Sequence, residues 1–206
     1  MRQVCGVLLG LFVLLPSVGS LARAETQIPL DVGGGLTTGG YLGEPRHDWH
    51  VGLGGSLFLQ HPMKHDLEVR LLGSMQWNDG SLKERHQSDE PDLGALPGDR
   101  PDSFRRASYE ASLIWRTEPL ALDNYGVPYV GAGLSAYERV VRYQGASGPR
   151  KVSAWDQGFH ALAGLRLYRT SGLFVATEVK MHGIDTPSDW TFAYEGALLI
   201  GFLIGS

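Results

Sequence analysis

The sequence predicts an all-β protein, an eight-stranded antiparallel up-and-down transmembrane β-barrel. Three observations predict it. Apolar and polar residues alternate with period two along eight segments, and successive side chains of a strand point to opposite faces. Many segments exceed the ~5–6 residues common in soluble strands and reach the ~9–11 of a membrane-spanning one. Aromatic residues stand near segment ends, as interfacial girdles would place them: Tyr41, Trp49, Trp77, Phe104, Trp115, Tyr137, Tyr168, Trp190 and Phe192. The clearest stretch is Leu67–Trp77. Leu67, Val69, Leu71, Gly73, Met75 and Trp77 share one face; Glu68, Arg70, Leu72, Ser74 and Gln76 share the other.

The remaining segments follow in order. The first, about Ile28–Tyr41, is rich in glycine and alternates least clearly. In the second, about Trp49–Gln60, Val51, Leu53, Leu57 and Leu59 oppose His50, Ser56 and Gln60. The fourth, about Phe104–Arg116, sets Ala107, Tyr109, Ala111, Leu113 and Trp115 against Ser108, Glu110, Ser112 and Arg116. The fifth, about Val127–Val140, sets Val130, Ala132, Leu134 and Ala136 against Tyr129, Ser135 and Tyr137. In the sixth, about Gly158–Tyr168, Phe159, Ala161, Ala163, Leu165 and Leu167 oppose His160, Gly164 and Arg166. The seventh, about Leu173–His182, sets Val175, Thr177, Val179 and Met181 against Glu178, Lys180 and His182. The eighth, about Trp190–Ile204, sets Phe192, Tyr194, Leu198, Ile200, Phe202 and Ile204 against Ala193, Glu195, Ala197 and Gly201. Two long polar stretches interrupt the series, about Asp79–Ser103 and Val141–Trp155, and both read as loops.

Residues 1–24 read as a secretory signal peptide: Arg2, an apolar run from Val4 to Pro16, and the small-x-small signature Ala22-Arg23-Ala24. The run is too short for a spanning helix. Cys5, the single cysteine, precedes it, so neither a lipid anchor nor a disulfide framework is expected. Residues 25–206 then form one barrel domain, mature from about Glu25. Losing the leader, with two Arg and no acid, takes the net charge from −4 to −6, which argues against nucleic-acid binding.

Counting from the first strand, connections two, four and six are short to moderate, while the odd-numbered connections include the two longest. Bacterial barrels have short periplasmic turns and longer external loops. The expected location is therefore the bacterial outer membrane, with the loop 79–104 outside. A secreted soluble barrel of lipocalin type shares the period-two pattern and is the main structural rival. Its watered faces should be rich in Lys and Thr, whereas the polar faces here mix Gly, Ser and isolated charges.

The stretch Pro128-Tyr129-Val130-Gly131-Ala132-Gly133-Leu134 resembles a strand of the small outer-membrane barrels related to OmpA, OmpX and OmpW. Glu178-Val179-Lys180 and the final Gly196–Gly201 strand are similar in style. The resemblance implies eight antiparallel strands, a Gram-negative outer membrane and a filled interior. Two departures stand out. The sequence closes on Gly205-Ser206, not on the terminal aromatic that resembles an assembly signal, and a peptidoglycan-binding domain is not expected.

The inward set contains four acids, Glu68, Glu110, Glu178 and Glu195, and four bases, Arg70, Arg116, Arg166 and Lys180. Ions taken out of water must be paired, so a balanced set reads as a structural ion network in a packed lumen. Eight strands enclose room for side chains or one small ligand, not a wide pore. Some small barrels modify lipid A, and the deacylase type resembles a His-x-Ser pair with a nearby Glu. Here His182 precedes Gly183-Ile184 and His160 precedes Ala161-Leu162, so neither local sequence supplies the serine. The acids of loop 79–104 do not have the spacing of a calcium loop. The reading is a non-enzymatic envelope or surface-interaction barrel, without catalytic residues, metal or cofactor. It is expected to be a monomer in contact with outer-membrane lipid and lipopolysaccharide, with loop 79–104 the place for any surface ligand. A lipid-modifying outer-membrane enzyme and a soluble periplasmic binding barrel stay open as alternatives.

Overall fold

The computed structural model describes residues 29–42, 52–63, 66–79, 100–117, 126–145, 148–170, 172–186 and 190–204. These form eight strands: β1 (Leu30–Leu42), β2 (Gly52–Pro62), β3 (Leu67–Asp79), β4 (Arg100–Arg116), β5 (Gly126–Gly145), β6 (Gly148–Thr170), β7 (Leu173–Asp185) and β8 (Trp190–Ile204). Each pairs antiparallel with the next, and β8 closes on β1 from Leu30↔Ile204 to Leu42↔Phe192. Closure satisfies every strand edge within the barrel, the condition for a sheet to stand in lipid. The same connectivity places the start of β1, the end of β8 and the strand ends on either side of the β2–β3, β4–β5 and β6–β7 connections at one end.

Period two decides which way each side chain faces. Leu36, Leu53, Leu57, Leu71, Leu113, Leu134, Val179, Leu198 and Ile200 are exposed around the outside. Arg70, Gln60, Glu68, Lys180, Glu195, His160 and His182 are almost wholly buried inside. This inverts the soluble pattern: the polar residues form the interior and the apolar residues the surface.

Two apolar clusters also lie inside. Phe58, Leu72, Ile114, Tyr129, Leu162, Phe174, Ala176 and Leu199 pack together, mostly near the short-turn ends of their strands. Phe104, Val141 and Tyr143, with Tyr41, Val152 and Ala154 against them, pack toward the opposite end. Three interior rings lie over glycines directly across the ladder: Phe58 over Gly33, Tyr129 over Gly164 and Phe174 over Gly201. A Cβ on Gly164 would come within 2.3 Å of the Tyr129 ring, and one on Gly201 within 2.3 Å of Phe174. Glycine is what lets an aromatic side chain fold inward across a narrow barrel.

The stretch Val141–Trp155 corrects the sequence reading: it is strand, not loop. β5 continues to Gly145 and β6 starts at Gly148, whose φ of 100° closes the hairpin. Val141, Tyr143, Val152 and Ala154 supply the inward apolar half of the alternation. Arg142, Gln144, Lys151 and Ser153, facing outward, make the stretch look uniformly polar. β4 likewise begins at Arg100, so residues 100–103 are strand and not part of the insert. The rest of that insert, the leader and its cleavage site, Trp49 and the chain end at residues 205–206 lie outside the described residues.

Candidate functional site

Register brings the polar interior together. Lys180 stands directly across the β7–β8 ladder from Glu195. Its Nζ lies 2.9 Å from Glu110 Oε2, 3.3 Å from Glu195 Oε1 and 3.5 Å from Glu178 Oε1. Arg70 grips Glu178 through two bonds of 2.7 and 3.0 Å, and the Tyr129 hydroxyl donates to the same carboxylate at 3.0 Å. Ser108 donates to Glu110 at 2.8 Å. Gln76 donates to Glu195 at 2.8 Å and accepts from Arg106 at 2.8 Å, while Arg106 reaches Glu195 at 3.5 Å. Three carboxylates thus share three cations, all buried. Such an arrangement offsets the several kcal/mol of desolvation each ion carries.

A second cluster lies where β1, β3, β4 and β6 approach the short-turn end. Arg166 bonds to Glu68 at 3.1 Å and to Asp31 at 3.4 Å, and its guanidinium lies 4.4 Å from the Phe174 ring centre. Gln60 donates to Glu68 as well. Arg139 and Asp156 form a bidentate pair in the extended β5–β6 hairpin.

Of the eight residues expected inside, Arg70, Glu110, Glu178, Lys180 and Glu195 meet in the first cluster, and Glu68 and Arg166 in the second. Arg116 does not stand at mid-strand. It ends β4, its side chain is 27% exposed, and it joins Glu68 at 3.2 Å to the exposed Asp66 at 3.8 Å. Gln60 and Gln76, read as polar-face residues, join these networks; Asp31, Arg106 and the Arg139–Asp156 pair went unread. Arg106 shares the parity of Glu110 and could have been found by extending the alternation. Asp31 is hidden by the glycines that follow it.

One row of the barrel carries histidine. Ser112, Gly133, His160, His182 and Ala193 are successive cross-strand partners. His160 is held at both ring nitrogens, Nε2 by Ser112 Oγ at 2.8 Å and Nδ1 by Ser135 Oγ at 2.6 Å. His182 Nδ1 shares a 2.9 Å hydrogen bond with the Tyr137 hydroxyl. The serine missing from the local sequence of His160 thus comes from neighbouring strands. Among the described residues Ser112, Ser135 and His160 are all buried.

Glu110, His182 and Glu195 offer one ligand atom each within 4.8 Å of one another. The Lys180 ammonium already stands against both carboxylates, so a lysine supplies the cation that this geometry invites.

Neither protein-family models nor curated proteins match the sequence. Solved structures do. Neisserial surface protein A (NspA) superposes with a TM-score of 0.56 at 16% identity, over 88% of this chain and 98% of that one. Ail, the attachment invasion locus protein of Yersinia pestis, gives 0.53 at 13% identity over 87% and 100%. Ail in complex with the heparin analogue sucrose octasulfate gives 0.56. The outer membrane protein OprG from Pseudomonas aeruginosa gives 0.54 at 11% identity over 87% and 97%. With eight strands, a closed antiparallel ladder and an inside-out distribution of polarity, the chain has the fold of the small outer-membrane β-barrels.

Proposed function

We propose that this chain is an integral outer-membrane barrel without enzymatic activity, whose lumen is structural and whose work is done on its outer surface. The carrying observation is the lumen itself, where buried ion clusters are filled in by apolar side chains at both ends. A channel needs a continuous wet path, and a hydrolase needs an open cleft beside its nucleophile. Neither fits an interior occupied by its own side chains. That leaves the external end, where β4, β5 and β6 run past their neighbours. The likeness to Ail, crystallised with a heparin analogue, supports a surface-interaction reading, with loop 79–104 and this extension as its ground.

Two measurements test the proposal. The refolded protein in planar lipid bilayers should give no steady conductance above the bare membrane. It should also release no fatty acid from radiolabelled lipid A in detergent. Stable single-channel steps would overturn the closed-lumen reading. Deacylation abolished by Ser112→Ala would overturn the non-enzymatic one.

A further inference from the structure

The extension of β4, β5 and β6 carries an unusual set of charges on its outward face. Arg142 and Lys151 are direct cross-strand partners. Arg105 stands diagonally across from Arg142, two residues along β4 from Ser103, which pairs with it. Like charges directly opposite one another destabilise a sheet. Among the described residues neither Arg142 nor Lys151 has an ion-pair partner. Among the described residues Glu138 meets only Arg105, at 3.3 Å, and Arg105 Nε is buried without a hydrogen-bond acceptor. In a chain of net charge −4, three cations on adjoining rungs invite an anion from outside.

Their height says which anion. Tyr109 stacks on Trp155 with ring centres 5.9 Å apart, and Phe159 lies against Trp190 at 5.5 Å. Both pairs face outward at the upper edge of the apolar band, the position of an interfacial girdle. Lys151 is four residues beyond Trp155, and Arg105 four beyond Tyr109, on the same face. Four residues of strand tilted by ~40° climb roughly 10 Å. The backbone there stands just past the headgroups, which add about 5–8 Å to each side of the ~30 Å hydrocarbon core, and the long Arg and Lys side chains reach back down to them. Arg142, Lys151 and Arg105 all stand on the outward face of the barrel wall.

We propose that Arg142, Lys151 and Arg105 bind the phosphate of a phosphorylated glycolipid in the outer leaflet. Guanidinium and ammonium groups supply charge-assisted donors to phosphate oxygens, and Trp155 and Tyr109 pack beside the sugar and acyl junction. The site rests on the outer-membrane reading above and gives it a named lipid contact.

The test uses the full mature chain, refolded into phosphatidylcholine nanodiscs with or without bis-phosphorylated lipid A. Migration on unheated gels reports whether the barrel has formed, so a failure of the membrane-barrel reading is seen separately from a failure of the site. Lipid A retained through detergent exchange is counted by native mass spectrometry. Wild type should retain it, and Arg142→Gln with Lys151→Gln should retain roughly thirtyfold less, since each of the two basic groups contributes about fivefold near an anionic surface. The swap Arg142→Lys with Lys151→Arg should restore retention, and lipid A stripped of its phosphates should be lost from wild type. Equal retention by folded wild type and the double Gln variant would overturn the proposal. So would displacement of lipid A by sucrose octasulfate at low concentration, which would assign the face to a soluble polyanion.

Discussion

Lys180 is the residue on which the interior depends most. Its ammonium serves Glu110, Glu178 and Glu195 together, whereas Glu195 keeps Gln76 and Arg106 after Lys180 is gone. Removing the lysine leaves excess negative charge in a poorly solvated space. Lys180→Leu should therefore cost about 3–5 kcal/mol, and Glu195→Met clearly less. The double variant should cost less than the sum of the two, a favourable coupling of ~0.5–3 kcal/mol. Reversible urea unfolding in lipid vesicles measures all three; additive losses would mean that the two charges do not interact. The outward face makes a complementary prediction. Leu134 is 73% exposed at the middle of β5, so Leu134→Arg should destabilise the inserted barrel by about 2–4 kcal/mol. In detergent-free buffer that change should be near neutral if the chain were instead a soluble barrel.

At the scale of strands, ladder and glycine placement act together. Gly164→Ala would drive a methyl into the Tyr129 ring and to 2.6 Å from the Thr177 carbonyl, so a loss of roughly 1–3 kcal/mol is expected. Gly73, on the outward face of β3, has nothing within 4 Å of its added Cβ, and Gly73→Ala should be neutral or slightly stabilising. Equal effects in the same unfolding assay would contradict the ring-over-glycine arrangement. Most strands were legible because alternation survives wherever one face is greasy and the other polar, as in Leu67–Trp77. β1 was faint because Gly33, Gly34, Gly35, Gly39 and Gly40 carry no side chain to alternate. The β5–β6 extension was misread for a different reason. Beyond the membrane both faces can carry polar groups, and Arg142, Arg150 and Lys151 mask the apolar half. The inward charges followed from parity alone, but their partners did not. Arg70 finds Glu178 and Arg166 finds Glu68 across the barrel, a relation set by strand tilt and closure that no single segment contains.

As a whole molecule, the closed barrel wears its apolar residues outside and buries its charges within. The balanced lumen explains how an acidic chain can bury so many ions. Native tryptophan gives the most direct test, because Trp77, Trp115 and Trp190 stand exposed on the outer wall near strand ends, and Trp155 stands exposed beside Tyr109. The protein should be refolded into vesicles of lipids brominated at successive depths along the acyl chain, and its fluorescence compared with that in unbrominated lipid. Bromine near the headgroup boundary should quench most of the emission, and bromine at the bilayer centre clearly less, as two interfacial girdles require. Emission unchanged by brominated lipid at any depth, or quenched most strongly at the bilayer centre, would contradict the account.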